Sequence, residues 1–326
     1  MVQSSSRTIT DVKRIEALDQ FRGALVFFMI AANLLAVYRV VPAWLKHSAT
    51  YGRISFIDLG APMFLFSVGL ALGLAVDRSW RAYGAGQTVR RFIVRDLVLV
   101  IFGVTGSWLT HRPIFHDWEV LQTIGVASFL ALPMVFLAPR WRVITGIGYL
   151  VIFQLIGARG YWTWLQTYDM GGLGGVLGGI GWAGLILFGS SLSRLLRDDY
   201  HRFRSAALAM AITGLALAVI LVRWQPLDKR LVSGSYLVLT TGLSALVCLF
   251  FAMVTRMQNF SFRPFKILGM NAMVLFMVQA VLGLVVQALI PVTSSGFTIF
   301  LGLLVLYLAC YAAAAFLDHR RMIIRL

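Results

Sequence analysis

Ten stretches of this sequence are apolar for about as long as a bilayer is thick. They run roughly over 21–38, 57–76, 96–109, 120–138, 143–158, 172–192, 205–222, 236–253, 267–290 and 297–317. A helix needs about 20 apolar residues to cross the hydrocarbon core. The third and fifth stretches are the shortest of the set. The segments are apolar all round, the pattern of helices surrounded by lipid and by one another. Backbone groups in hydrocarbon must pair within their own segment, so the expected fold is all-α: a polytopic transmembrane helix bundle of about ten spans. The charge supply excludes the soluble alternative. Only 13% of the 326 residues are charged, against about 25% in an ordinary soluble domain.

The sequence divides into a polar tail over 1–13, one membrane domain over 14–317 and a basic tail over 318–326. The first tail is expected to be disordered and cytoplasmic. The first apolar run is too long for the core of a signal peptide and is expected to stay as a helix. Ten spans put both termini on one side. If that side is cytoplasmic, 21 of the 29 Lys and Arg residues fall inside and 8 outside. This bias predicts an N-in, C-in topology. The net charge of +16 then reflects topology and contact with anionic lipids, and calls for no nucleic-acid partner. Cys248 and Cys310 both lie in apolar runs. Without a CxxC or a Cys/His cluster, neither a metal site nor a disulfide framework is supported.

The predicted outer loops carry different residues from the inner ones. They hold His47, Asp58, His111, His116, Glu119, Asp169, Asp228 and Lys229, whereas His201 and His319 fall inside. A loop histidine is by default solvated, but histidine also moves protons near neutral pH. Asp58 opens the second span, where a carboxylate is a natural helix cap; the functional reading makes it the partner that orients His47. Asn33 lies about one and a half turns inside the first span, costly unless it faces a cavity or a partner helix. The sixth span opens on a glycine run, 171–181. Such density serves close helix packing, or else a wall shaped for a thin substrate chain. No acidic or basic residue is expected near the centre of any span, and Gln279 is the most central strong polar group.

At residues 14–69 the sequence becomes specific. Arg14-Ile15-Glu16-Ala17-Leu18-Asp19-Gln20-Phe21-Arg22-Gly23 is similar to an R-x-x-S-L-D-x-F-R-G opening, and Asn33 follows in the same helix. Leu45-Lys46-His47-Ser48-Ala49-Thr50-Tyr51-Gly52 is similar to L-x-H-A-x-W-x-G. Asp58-Leu59-Gly60-Ala61-Pro62-Met63-Phe64-Leu65-Phe66-Ser67-Val68-Gly69 is similar to D-L-x-x-P-x-F-L-F-x-x-G. Weaker matches follow in order at 120–125, 168–173, 228–236 and 269–273. Together they resemble the heparan-α-glucosaminide N-acetyltransferase family of polytopic membrane acyltransferases, over about residues 14–285. The family's Trp in the histidine loop is Thr50 here, its Pro-Glu after Asp169 is missing, and its Trp after Leu231 is Val232.

The resemblance implies acetyl-CoA as co-substrate, approaching from the cytoplasm, and a sugar or glycan acceptor outside, in a bacterial cytoplasmic membrane. His47 matches the family's catalytic histidine. It would act as general base or transient acetyl carrier, with Asp58 holding its tautomer and Asn33 donating to the thioester oxyanion. Arg22, Arg90, Arg91, Arg95 and Lys266 are candidates for the donor's phosphates, with Asn271 about one turn into the ninth span on the same side. Gln122, Asp169, Lys229, His111 and His116 are candidates for the acceptor pocket. Two rivals remain. One is a transporter of a small solute or lipid-linked sugar, which would need ionisable residues in mid-membrane and repeated halves. The other is a non-catalytic membrane subunit. Assembly into a homo-oligomer is left open by the sequence.

Overall fold

The structure, a computed structural model, describes residues 15–109, 118–169, 172–257, 262–320 and 322. Every regular element among them is a helix: α1 (Glu16–Leu35), α2 (Gly60–Leu109), α3 (Val120–Val135), α4 (Pro139–Ile156), α5 (Trp162–Thr167), α6 (Gly175–Asp198), α7 (Tyr200–Leu221), α8 (Gly234–Met257), α9 (Arg263–Met270), α10 (Ala272–Leu289) and α11 (Gly296–His319). A π turn over Gly157–Tyr161 joins α4 to α5, and 3-10 turns occupy Ala43–Leu45 and Phe56–Leu59. Eight helical stretches are long and apolar enough to cross a membrane. Helix starts use ordinary devices. Pro139 opens α4, where its missing N–H costs nothing. Asp199 caps α7 by accepting from Arg202 N, and Ser295 caps α11 by accepting from Thr298 N.

The longest helix is two. Gly84 interrupts α2 with φ 76°, ψ 175°, a conformation that glycine adopts without a Cβ clash. Thr88 Oγ1 donates to Ser79 Oγ at 3.0 Å, whereas nine residues of straight helix would span about 13.5 Å. The chain therefore folds back into two legs, 60–83 and 85–109. The first runs beside α6, Gly69 against Ile186 and Gly73 against Ser193; the second runs antiparallel to α3, Asp96 against Gly125 and Gly103 against Gln122.

Registers of this kind set the layout. The first leg of α2, α3 and α6 all start at one end of the bundle and run to the other. The second leg and α4 run back. Helix α6 is the hub, with Trp182 to Ser193 buried without a break against α2, α3 and α4. Elsewhere α1 crosses α9 backbone to backbone. A Cβ on Gly23 would lie 1.7 Å from Phe265 O, and one on Gly269 1.7 Å from Asp19 O. One end of the bundle gathers the 36–59 loop, α5 and the 222–233 loop. The opposite end holds helix-to-helix charge contacts: Arg194 with Asp77 and Lys266 with Glu16.

Three expectations change. The third span does not begin at 96, because the second leg starts directly after Gly84. Asp96 is consequently mid-helix, 1% exposed and paired with Arg95 at 2.6 Å, so a carboxylate does sit deep in the bundle. The ninth span is split. Asn271 (φ −124°, ψ 38°) separates α9 from α10, and so lies at a break, not one turn into a continuous helix. Arg142, counted with the inner-side cations by the charge bias, is not on the surface. It is fully buried and donates to Leu137 O at 2.9 Å and Ser190 O at 2.8 Å, stitching the α3–α4 turn to α6.

Candidate active site

The loop leaving α1 carries His47, and the 3-10 turn before α2 carries Asp58. Ser55 and Asp58 form a capping box. Ser55 N and Oγ donate to Asp58 Oδ2 at 2.8 and 3.1 Å, and Ser48 N adds a third bond at 3.2 Å. With Oδ2 so occupied, Oδ1 faces the other way. It receives His47 Nδ1 at 2.8 Å and Lys229 Nζ at 3.1 Å. The capping and the orienting readings of Asp58 are thus both met, one by each oxygen. A carboxylate only 1% exposed must be surrounded by donors to stay ionised, and this one is.

The same contact selects the imidazole tautomer. An Nδ1 lone pair aimed at a carboxylate oxygen at 2.8 Å would be repelled, so Nδ1 carries the proton and Nε2 keeps its lone pair. The His47 side chain is 40% exposed, on the open side of the cluster. Lys229 Nζ also lies 3.1 Å from Nδ1, so the Lys229 ammonium and the Asp58 carboxylate balance each other behind the ring.

Lys229 comes from the loop between α7 and α8, 182 residues away from His47. Its neighbour Asp228 is buried and bridges the two loops, accepting from Gly52 N with one oxygen and from Leu231 N, at 2.8 Å, with the other. Tyr236, buried at the start of α8, donates to the Asp58 carbonyl. Arg230 closes the rim. It donates to Ala49 O at 3.0 Å, pairs with Asp169 and lies 4.2 Å over the Tyr51 ring. Burial pushes the Tyr51 phenol up, which keeps it a donor, here to Leu165 O at 3.4 Å.

A family model described as heparan-alpha-glucosaminide N-acetyltransferase, catalytic, matches residues 14–225. The chain belongs to the heparan-α-glucosaminide N-acetyltransferase family. Membership implies an acetyltransferase, and with eight apolar helices it makes the chain an integral membrane protein. None of the curated proteins searched matches it. The matched range includes Asn33, His47 and Asp58 but ends before Lys229 and Asn271. The family's histidine loop is therefore completed by residues beyond the match.

The remaining expected residues are dispersed. Asn33 is half-buried on α1, one turn beyond Met29, whose side chain touches the Gly60 position at 3.8 Å; no hydrogen bond joins Asn33 to His47. Gln122 is buried at the α3 start and donates to Ser107 Oγ at 3.1 Å, away from the histidine cluster. Asp169 joins the rim through Arg230. His111 and His116 lie outside the described residues. At the opposite end, Lys266 pairs with Glu16 at 2.9 Å and Asn271 Nδ2 donates to Met322 O at 3.2 Å, with Arg22 half-buried on α1. Arg90 and Arg91 are exposed on the second leg of α2, Arg91 over the Tyr83 ring at 3.5 Å, and Arg95 is taken up by Asp96. These cations do not converge as the His47 cluster does.

Sequence reasoning passed over Ser55, Asp228, Arg230 and Tyr236 as site residues. Ser55 had a local signal, the S-x-x-D spacing of a capping box. Tyr236 and Asp228 act through backbone atoms of a distant loop, which no local pattern encodes.

Proposed function

We propose that this protein transfers an acetyl group from acetyl-CoA, approaching at the basic end, to an amine or hydroxyl of a sugar or glycan at the His47 end. The observation that carries the reading is the His47–Asp58–Lys229 cluster. A half-exposed imidazole has its proton held at Nδ1 by a buried carboxylate, and Nε2 is left as the base. On the ten-pass, N-in and C-in topology that the charge bias favours, the basic end is cytoplasmic and His47 is external. The donor's acyl-bearing arm then threads the bundle. Exposed cations such as Arg90 and Arg91, with Arg22 and Lys266, take its phosphates.

In direct transfer, Nε2 accepts the proton of the acceptor's N–H or O–H as that atom attacks the thioester carbonyl. The oxyanion that forms draws on the Asn33 amide. Its collapse breaks the C–S bond, and the imidazolium returns the proton to the leaving thiolate. In the stepwise form, Nε2 itself attacks the carbonyl and the C–S bond breaks to release the CoA thiolate. The acceptor's N or O then attacks the acetyl-imidazole, frees Nε2 and gives its proton to the thiolate or to water. Asp58 stabilises the charged imidazole in either form, as a carboxylate does in a Ser-His-Asp triad.

The buried Asp96 is a feature a transporter would also need, so the test must separate the two. Purified protein in nanodiscs is given labelled acetyl-CoA and a panel of amino sugars and glycans, wild type beside His47→Ala. Transfer that depends on His47 supports the acetyltransferase. Failure to bind or cleave any acyl-CoA removes it in favour of transport.

A further inference from the structure

The glycine run that opens α6 and the strained turn before α8 explain each other. Val232 has φ +54°, a left-handed conformation that a β-branched residue rarely adopts. The other non-glycine residues with positive φ, Asp169 and Leu173, lie in the loop just before α6 at the same end of the bundle. Such outliers persist only where the surroundings over-determine them. At Val232 the surroundings do so. Its side chain is fully buried in a seat made of glycines. A Cβ on Gly174 would lie 2.6 Å from Val232 Cγ2, one on Gly181 3.3 Å from Cγ1, and one on Gly178 3.7 Å from Cγ2.

The backbone of this turn is held on every side. Gly174 N donates to Arg230 O at 3.0 Å, Trp162 Nε1 to Leu231 O at 3.0 Å and Gln154 Nε2 to Val232 O at 3.2 Å. Ser233 N closes onto Asp228 O at 2.9 Å, and Val232 N donates to Lys229 O at 3.3 Å. The seated residue is thus bonded to the backbone of the lysine that meets His47. The space left by the missing glycine side chains is filled from within the chain, not by a substrate.

We infer that Val232, seated against Gly174, Gly178 and Gly181, is a positioning residue that holds the Lys229 ammonium on Asp58 Oδ1, beside His47. The inference rests on the reading of His47 as the reacting base. Glycine is at ease at φ +54°, so Val232→Gly vacates the seat without adding strain. Its kcat should fall about tenfold while the KM for acetyl-CoA stays within about twofold. Because Val232 acts through Lys229, adding Val232→Gly to Lys229→Met should cost nothing beyond Lys229→Met alone; a merely structural role would make the losses multiply. Val232→Ala carries the same comparison if the glycine variant does not insert.

A second measurement needs no turnover: the rate at which an amine-specific reagent labels Lys229, with Lys46 as internal reference. Labelling of Lys229 should accelerate several-fold in Val232→Gly. Unchanged labelling, wild-type kcat or multiplying losses overturn the inference. Full activity in His47→Ala would instead overturn the function, and the labelling result would still decide the seat.

Discussion

At one end of the bundle two loops meet on a single carboxylate; at the other, charges are paired one helix to another. Asp58 gathers the 45–55 loop through Ser48, Ser55 and His47, and the 222–233 loop through Lys229. Asp77 gathers only Arg194, in a two-bond fork at 2.6 and 2.7 Å, and Glu16 meets Lys266. Both ends are built from the same side chains. What differs is that the first network ends on a half-exposed imidazole, while the second ends on itself. Convergence on an unspent group, not charge density, marks the site. The basic end holds many more cations, yet among the described residues they pair locally, as Arg194 with Asp77 and Lys266 with Glu16, and do not gather on one carboxylate.

Breaking the convergence should therefore hurt chemistry, and breaking the pairs should hurt only stability. The largest effect is expected for His47→Ala, a loss of about a thousandfold in transfer rate with insertion and acetyl-CoA binding retained. Measurable binding with normal turnover would dissolve the comparison. Asp58→Asn comes next. The amide keeps the shape, but its NH2 group can face Nδ1 and release the tautomer, for a loss of about a hundredfold in kcat. Steady-state kinetics with thermal melting would check that the melting temperature moves much less than the rate.

At the opposite end, Asp77→Asn should lower stability by about 1 kcal/mol, since Arg194 is nearly half exposed. Its kcat/KM should stay within about twofold, measured beside its melting temperature. The smallest effect is expected at the rim. Asp169 is exposed, with Arg230 and Tyr51 as its partners, so Asp169→Asn should raise the acceptor KM by about threefold or less and leave kcat unchanged. A large kcat loss there would extend the active cluster to the rim.

The sequence made the helices legible, because a membrane imposes one rule on every span: apolar side chains and an internally paired backbone. Its failures share a cause. The start of the second leg of α2 was missed because Arg90, Arg91 and Arg95 made residues 85–95 read as a loop, although helix propensity and packing carry α2 through them. The break at Asn271 was missed because Ile267-Leu268 and Ala272-Met273 are apolar on both sides of it. The glycine run was readable as a place of close approach, but not what approaches. Trp118 and Val126 approach it from just before α3 and from α3, and Val232, about 50 residues later in the chain, approaches Gly174, Gly178 and Gly181.

The candidate site divides in the same way. His47 and Asp58 were legible because motif order in a linear stretch survives as sequence, and they did meet at 2.8 Å, whereas Asn33, read from the same stretch, is not bonded to His47. Lys229 was legible as a candidate for the acceptor pocket, not as a partner of His47 and Asp58. That it joins the His47–Asp58 pair depends on the packing of α8, where Tyr236 reaches the Asp58 carbonyl, and on Asp228, which ties Gly52 to the turn. The sequence by itself determined that this chain is a membrane bundle and which loop carries the candidate histidine, since hydropathy and local motifs are properties of neighbouring residues. Only the tertiary structure decided which distant lysine meets the His47–Asp58 pair and which valine is seated against the glycines beside it. Those contacts depend on how helices far apart in the chain come to pack, and local pattern does not encode that.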